Sequence, residues 1–233
     1  MKLLAKHVPP DIAIVTGFGD KGISELKVEL DQKMHPHSNT IIPSAPWHKA
    51  LDAPETVIAR VAKAIDAIPS DHILLIGHSY GALIALLVAC RRELQNILKV
   101  ILIDGPLNPY VDVHPAHSLH NIFFRHYEQR EALARECEKT LRSLDASKIM
   151  TIGSEHDQLV PAAAKQLPDN GNFQTVILND AMDVAEIPNR ATKGLNVVLP
   201  DHYRGHGLHH KIPIISDIIE QSVRWTLKSE KVA

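Results

Sequence analysis

The chain has 233 residues, enough for one domain with a sizeable core, and 45% of them are hydrophobic against 22% charged. Its 25 basic and 27 acidic residues leave a net charge of −2, so no global field recruits nucleic acid or an anionic membrane. Two cysteines, Cys90 and Cys137, make no disulfide framework and point to a reducing, cytoplasmic setting, and ten scattered aromatic residues offer no base-stacking surface.

The opening MKLLAKHVPPDIAIV lacks an apolar stretch of signal-peptide length. From there, short β-branched runs alternate with segments of helical period. IAIVTG (12–17) predicts a strand, and residues 22–34 predict a helix with Ile23, Leu26, Leu30 and Met34 on one face. NTIIPS (39–44) predicts the next strand. Residues 54–68 predict a helix opened by Pro54, with Val57, Val61, Ala64, Ile65 and Ile68 turned inward. HILLIG (72–77) is followed by an Ala- and Leu-rich helix over 80–95. KVILID (99–104), KIMTIG (148–153) and NVVLP (196–200) complete the strands, with FQTVIL (173–178) as a further candidate of open position. A last helix over 213–228 carries Ile215, Ile218, Ile219, Val223 and Trp225. No run of about 18 apolar residues suits a membrane-spanning helix.

Apolar runs without polar alternation suit strands buried on both faces. The expected fold class is therefore α/β, a mostly parallel central sheet flanked by helices and joined by right-handed crossovers. Residues 105–147 break the rhythm, beginning with Gly, Pro and Asn and ending in the polar helical stretch REALARECEKTLRSL. They predict a small helical lid inserted over one end of the sheet. Residues 179–194 read as a surface loop. Nothing divides the chain, so a single domain over 1–233 is expected.

The stretch ILLIGHSYG (73–81) sets G-x-S-x-G, Gly77 to Gly81, between a strand and a helix. Flanking glycines let strand and helix approach closely at a sharp turn, and the helix N-terminus brings backbone amides near the Ser79 hydroxyl. A serine hydroxyl is a weak nucleophile and needs a base within hydrogen-bond reach, and that base needs a carboxylate to orient it.

At these residues the chain resembles the α/β-hydrolase superfamily, compact serine esterases and lipases in particular. The resemblance runs over roughly residues 11–228, although its specific motifs cover few positions. The family order is serine, acid, histidine. GSEHDQLVP after the strand at 148–153 is similar to the family's acid loop and implies Asp157 as the acid, with Glu155 as the alternative. DHYRGHGLHHKIP (201–213) is similar to its base loop and implies His206, with His202, His209 and His210 as competitors. VTGFGDKG (15–22) resembles its oxyanion loop, with Thr16 where many members have His. The amides of Phe18, or Gly19, and of Tyr80 would then receive the oxyanion. The chain starts at what would be the family's third strand, so the usual leading hairpin is expected to be short or missing.

The resemblance implies hydrolysis of a carboxylic ester or thioester through an acyl-enzyme on Ser79, with no cofactor and no metal. The implied partner is a small-molecule acyl substrate, with no nucleic acid and no membrane span; nothing indicates an oligomeric state. Leu107, Tyr110, Ile122, Phe123 and Phe124 either line an acyl pocket or pack among themselves. Two other readings stand beside this one. A binding or receptor protein on the same fold would not need all three triad residues. Amide or C–C bond hydrolysis would use the same three. The spacings His114, His117, His120 and His206, His210 suggest zinc, but no cysteine ligands accompany them.

Overall fold

The computed structural model describes residues 9–17, 22–43, 54–108, 144–155, 173–178 and 211–229, together with positions 132, 135–136, 138–139, 141–142, 160 and 167. Its centre is a six-stranded sheet of β1 (Asp11–Thr16), β2 (Asn39–Pro43), β3 (Ile73–His78), β4 (Ile97–Ile103), β5 (Ile149–Ser154) and β6 (Gln174–Leu178). The spatial order is β2-β1-β3-β4-β5-β6, and every neighbouring pair is parallel. The helices are α1 (Ile23–Met34), α2 (Pro54–Asp66), α3 (Tyr80–Arg91) and α4 (Ile212–Ser229).

Period-two alternation sends successive strand residues to opposite faces, and both faces are covered. Ala13, Val15, Ile73, Leu75, Val100 and Leu102 pack with α2 and α3. Ile12, Ile14, Leu74, Ile76, Ile101 and Ile103 pack with α1 and α4. The α3 helix is buried from Tyr80 to Cys90, as an all-round apolar helix must be. Cys90 is a buried free thiol inside it. FQTVIL supplies β6, placed at the sheet edge beside β5.

Two boundaries depart from the sequence reading. The helix expected over 80–95 stops at Arg91, and β4 starts at Ile97 rather than Lys99. Between them Glu93, Leu94 and Asn96 all take positive φ, so the chain turns without a glycine or proline to mark it. The strand expected at 196–200, the loop at 179–194 and most of the insertion lie outside the described residues. Within the insertion, positions 132, 135–136, 138–139 and 141 are helical, and Leu141 enters the core. Arg91 ties this stretch to the body: Nε donates to Glu136 Oε1 at 2.8 Å, and its terminal nitrogens grip Glu55 at 2.7 and 2.9 Å.

Candidate functional site around Ser79

Strand β3 ends at His78 and α3 begins at Tyr80, which leaves Ser79 alone on the bend. Its backbone has φ 57° and ψ −129°, outside the regions that serine normally occupies. A serine ahead of a helix usually caps it through its hydroxyl, but Ser79 makes no such cap. The bend is held instead through the main chain. Ser79 N–H donates to Ile103 O at 2.9 Å, and Ser79 O accepts from Ala82 N–H at 2.9 Å.

The glycines around Ser79 are required by contact. A Cβ on Gly77 would lie 2.5 Å from Ala82 Cα, and one on Gly81 would lie 2.4 Å from the carbonyl oxygens of Val15 and Thr16. The end of β1 also reaches the serine: a Cβ on Gly17 would meet Ser79 Cβ at 2.9 Å and Oγ at 3.3 Å. Thr16 Oγ donates to Gly17 O at 3.3 Å, immediately before the segment expected to supply an oxyanion donor. Tyr80 is buried, and burial pushes its phenol up to about 12, so the ring stays neutral at physiological pH. Its backbone amide is the first of α3 after Ser79, where the helix dipole is positive.

The strand ends on either side bring further groups close by. Asp104 follows β4 with φ 47°, a conformation aspartate tolerates better than most residues. Its Oδ1 accepts from Ser154 N–H at 2.9 Å at the end of β5, and its Oδ2 lies 3.3 Å from Lys211 Nζ at the head of α4. Both side chains of this pair are nearly inaccessible, at 2% and 1% exposure. Sequence reading missed both residues. Asp104 ended an apolar run, and a buried lysine carries no local mark.

Of the residues singled out from sequence, Ser79 and Tyr80 are described and adjacent. Glu155 follows β5, and its N–H donates to Leu178 O at 2.8 Å, prolonging the β5–β6 ladder. Leu107 is buried in the core near Gly105 and Ala82, so it packs against the body of the protein. Phe18, Gly19, Asp157, His202, His206, His209, His210, Tyr110, Ile122, Phe123 and Phe124 lie outside the described residues, as do His114, His117 and His120. Among the described residues no group of three or more His, Cys, Asp or Glu is arranged to hold a metal, and no helix is long and apolar enough to cross a membrane.

Solved structures share this architecture. Est1E from Butyrivibrio proteoclasticus is similar with a TM-score of 0.60 and 14% identity, covering 96% of this chain and 90% of that one. A meta-cleavage product hydrolase from Pseudomonas fluorescens gives a TM-score of 0.58 at 10% identity, covering 94% and 91%. A hydrolase from Oleispira antarctica gives 0.55 at 13%, covering 92% and 91%. At these identities the likeness speaks for fold alone. No curated protein sequence matches the chain. A family model described as "Alpha/beta hydrolase family" matches residues 15–188, a span that runs from the end of β1 past β6 and holds the Ser79 bend, and the chain belongs to that family.

Proposed function

We propose that the protein is a serine hydrolase that cleaves a carboxylic ester or thioester of a small molecule through an acyl-enzyme on Ser79. One observation carries this reading: Ser79 occupies a strained bend between β3 and α3, on which Gly17, Gly77 and Gly81 converge where no side chain would fit. Strain of this kind persists where the surrounding structure enforces it, and a hydroxyl lifted off a helix N-terminus is poised to attack a carbonyl.

In this mechanism Ser79 Oγ forms a bond to the acyl carbon while His206 accepts its proton. Asp157 holds the imidazole in the right tautomer and stabilises its cation. The oxyanion is received by the amides of Tyr80 and Phe18, each donor contributing about 3 kcal/mol in comparable sites. Collapse expels the alcohol or thiol, which takes the proton from His206. Water, activated by the same histidine, then frees the acid and regenerates Ser79. This chemistry needs neither metal nor organic cofactor.

The test is labelling with a fluorophosphonate probe together with turnover of p-nitrophenyl acetate, butyrate and octanoate. Labelling is expected in the wild type and absent in Ser79→Ala, and turnover is expected to fall at least about 1000-fold in Ser79→Ala and His206→Ala. If His206→Ala kept full turnover, the base would be His202, His209 or His210. Labelling of Ser79 without turnover of any ester would move the substrate toward an amide or a C–C bond. A wild type that neither labels nor turns over substrate would sink the reading in favour of a binding protein on the same fold.

A further inference from the structure

Three segments expected to carry chemistry meet at one carboxylate. Asp104 stands immediately after Ile103, whose carbonyl accepts the Ser79 amide. Its Oδ1 holds the amide of Ser154, three residues before Asp157. Its Oδ2 faces Lys211 Nζ, five residues after His206 and immediately before α4. The backbone is fixed as well, since Asp104 N–H donates to Ile152 O at 2.8 Å. The side chain is thus pinned between β5 and α4 with almost no access to water.

A buried ion pair is weak evidence of stabilisation, because desolvating two charges offsets most of their attraction, and apolar residues of similar volume often serve as well. What such a pair does supply is geometric specification. A misplaced partner leaves an uncompensated charge, so one arrangement is strongly preferred over its neighbours. Here the specified arrangement is the relative position of the β4 end, the β5 end and the start of α4. Catalysis by a serine, a base and an acid depends on those separations to a fraction of an ångström.

We propose that Asp104 and Lys211 are positioning residues: their buried pair fastens the segment leading to Asp157 and the segment leading from His206 to the strand end beside Ser79. The proposal rests on the serine-hydrolase reading for its catalytic consequence, though the clamp itself does not depend on it. As positioning residues, Asp104 and Lys211 act through the two segments they fasten.

The informative variants are Asp104→Asn, which keeps an oxygen for Ser154 but removes the charge, Lys211→Met, and the doubly neutral Asp104→Asn/Lys211→Met should either single variant fold poorly. Kinetics are referred to sites titrated by the fluorophosphonate, so a loss of folded protein does not register as a loss of rate. Per titrated site, Asp104→Asn is expected to lower kcat by about 10- to 100-fold with KM changed less than about threefold, and to displace the acidic limb of the kcat/KM pH profile. By hydrogen exchange, peptides covering 153–157 and 206–213 should exchange at least about threefold faster, while α1 and α2 keep wild-type rates. Unchanged kcat and pH limb per titrated site in an active enzyme would overturn the proposal, as would unchanged exchange in both peptides. Inactivity of Asp104→Asn beside a fully active Asp157→Asn would also overturn it, by making Asp104 the triad acid. If the wild type proves inactive on every ester, the hydrolase reading fails separately, and exchange still decides whether the clamp exists.

Discussion

Gly81 shows how narrowly the Ser79 bend is specified. A methyl group there would press into the carbonyls of Val15 and Thr16, backbone atoms of a central strand that cannot swing aside. Gly81→Ala is therefore expected to destabilise the fold by about 3 kcal/mol or more, measured by urea denaturation. Gly17→Ala should behave differently. Its new methyl meets the Ser79 side chain, so ester turnover is expected to fall more than about 30-fold with a smaller loss of stability. Lys99 is as closely specified by its surroundings. Its ammonium is wholly buried, donating to Ser147 O at 3.0 Å, Gln174 Oε1 at 2.9 Å and Thr226 Oγ at 3.3 Å, with the Trp225 ring 5.7 Å away. Desolvation lowers it to about 7 from 10.5, partly countered by Asp145. Between those two pH values the unfolded chain holds a proton that the folded one has released, so stability rises with pH across that window. Denaturation at pH 7 and pH 10 should differ by something on the order of 3 kcal/mol in the wild type, and the slope should flatten in Lys99→Met. Neither Lys99 nor the Asp104–Lys211 pair was legible in the sequence. Lysine reads as a surface residue, and the acceptors that permit its burial come from positions 147, 174 and 226, which no local pattern connects to it.

Elements were more legible than residues because hydrophobic period is a local property. Residues 22–34 and 213–228 gave amphipathic spacing, and α1 and α4 lie within one residue of those bounds. The G-x-S-x-G bend was equally plain, since glycine, strand and helix signals coincide there. The end of α3 was hidden. RRELQN contains good helix formers, yet Glu93, Leu94 and Asn96 take positive φ and the chain leaves the helix before β4 pairs with β3. The order of strands was also beyond local reading, which is why FQTVIL could be recognised but not placed. Arg91, at the last turn of α3, joins α3 to α2 through Glu55 and to the helical stretch near 136. Its hydrogen bonds to Glu55 and Glu136 raise its own ionisation further, and the Glu55 carboxyl falls below its ordinary value chiefly through the same bond. These groups are partly exposed, so Arg91→Ala is expected to cost only about 0.5–1 kcal/mol, shrinking in 1 M salt.

At the scale of the whole molecule, the sheet order places a reversal between β1 and β3. The chain runs outward from β1 to β2 and then returns to lay β3 on the other side of β1. Parallel sheets open a crevice at the carboxyl ends of strands flanking such a reversal, and Gly17 and Ser79 sit at those ends. The position of the Ser79 bend beside the end of β1 thus follows from the strand order, and the long-range pairing that creates that order escapes a sequence read in windows.

The face of the sheet covered by α1 and α4 has a consequence during synthesis. Ile12, Ile14, Leu74, Ile76, Ile101 and Ile103 are all made before residue 104, but Ile215, Ile218 and Ile219, which roof them, come more than a hundred residues later. At roughly 5–20 residues per second, a ribosome leaves that apolar surface half covered for about 5–25 seconds. The nascent chain in that interval is a ready client for chaperones, and a message truncated ahead of α4 would yield a product prone to aggregate.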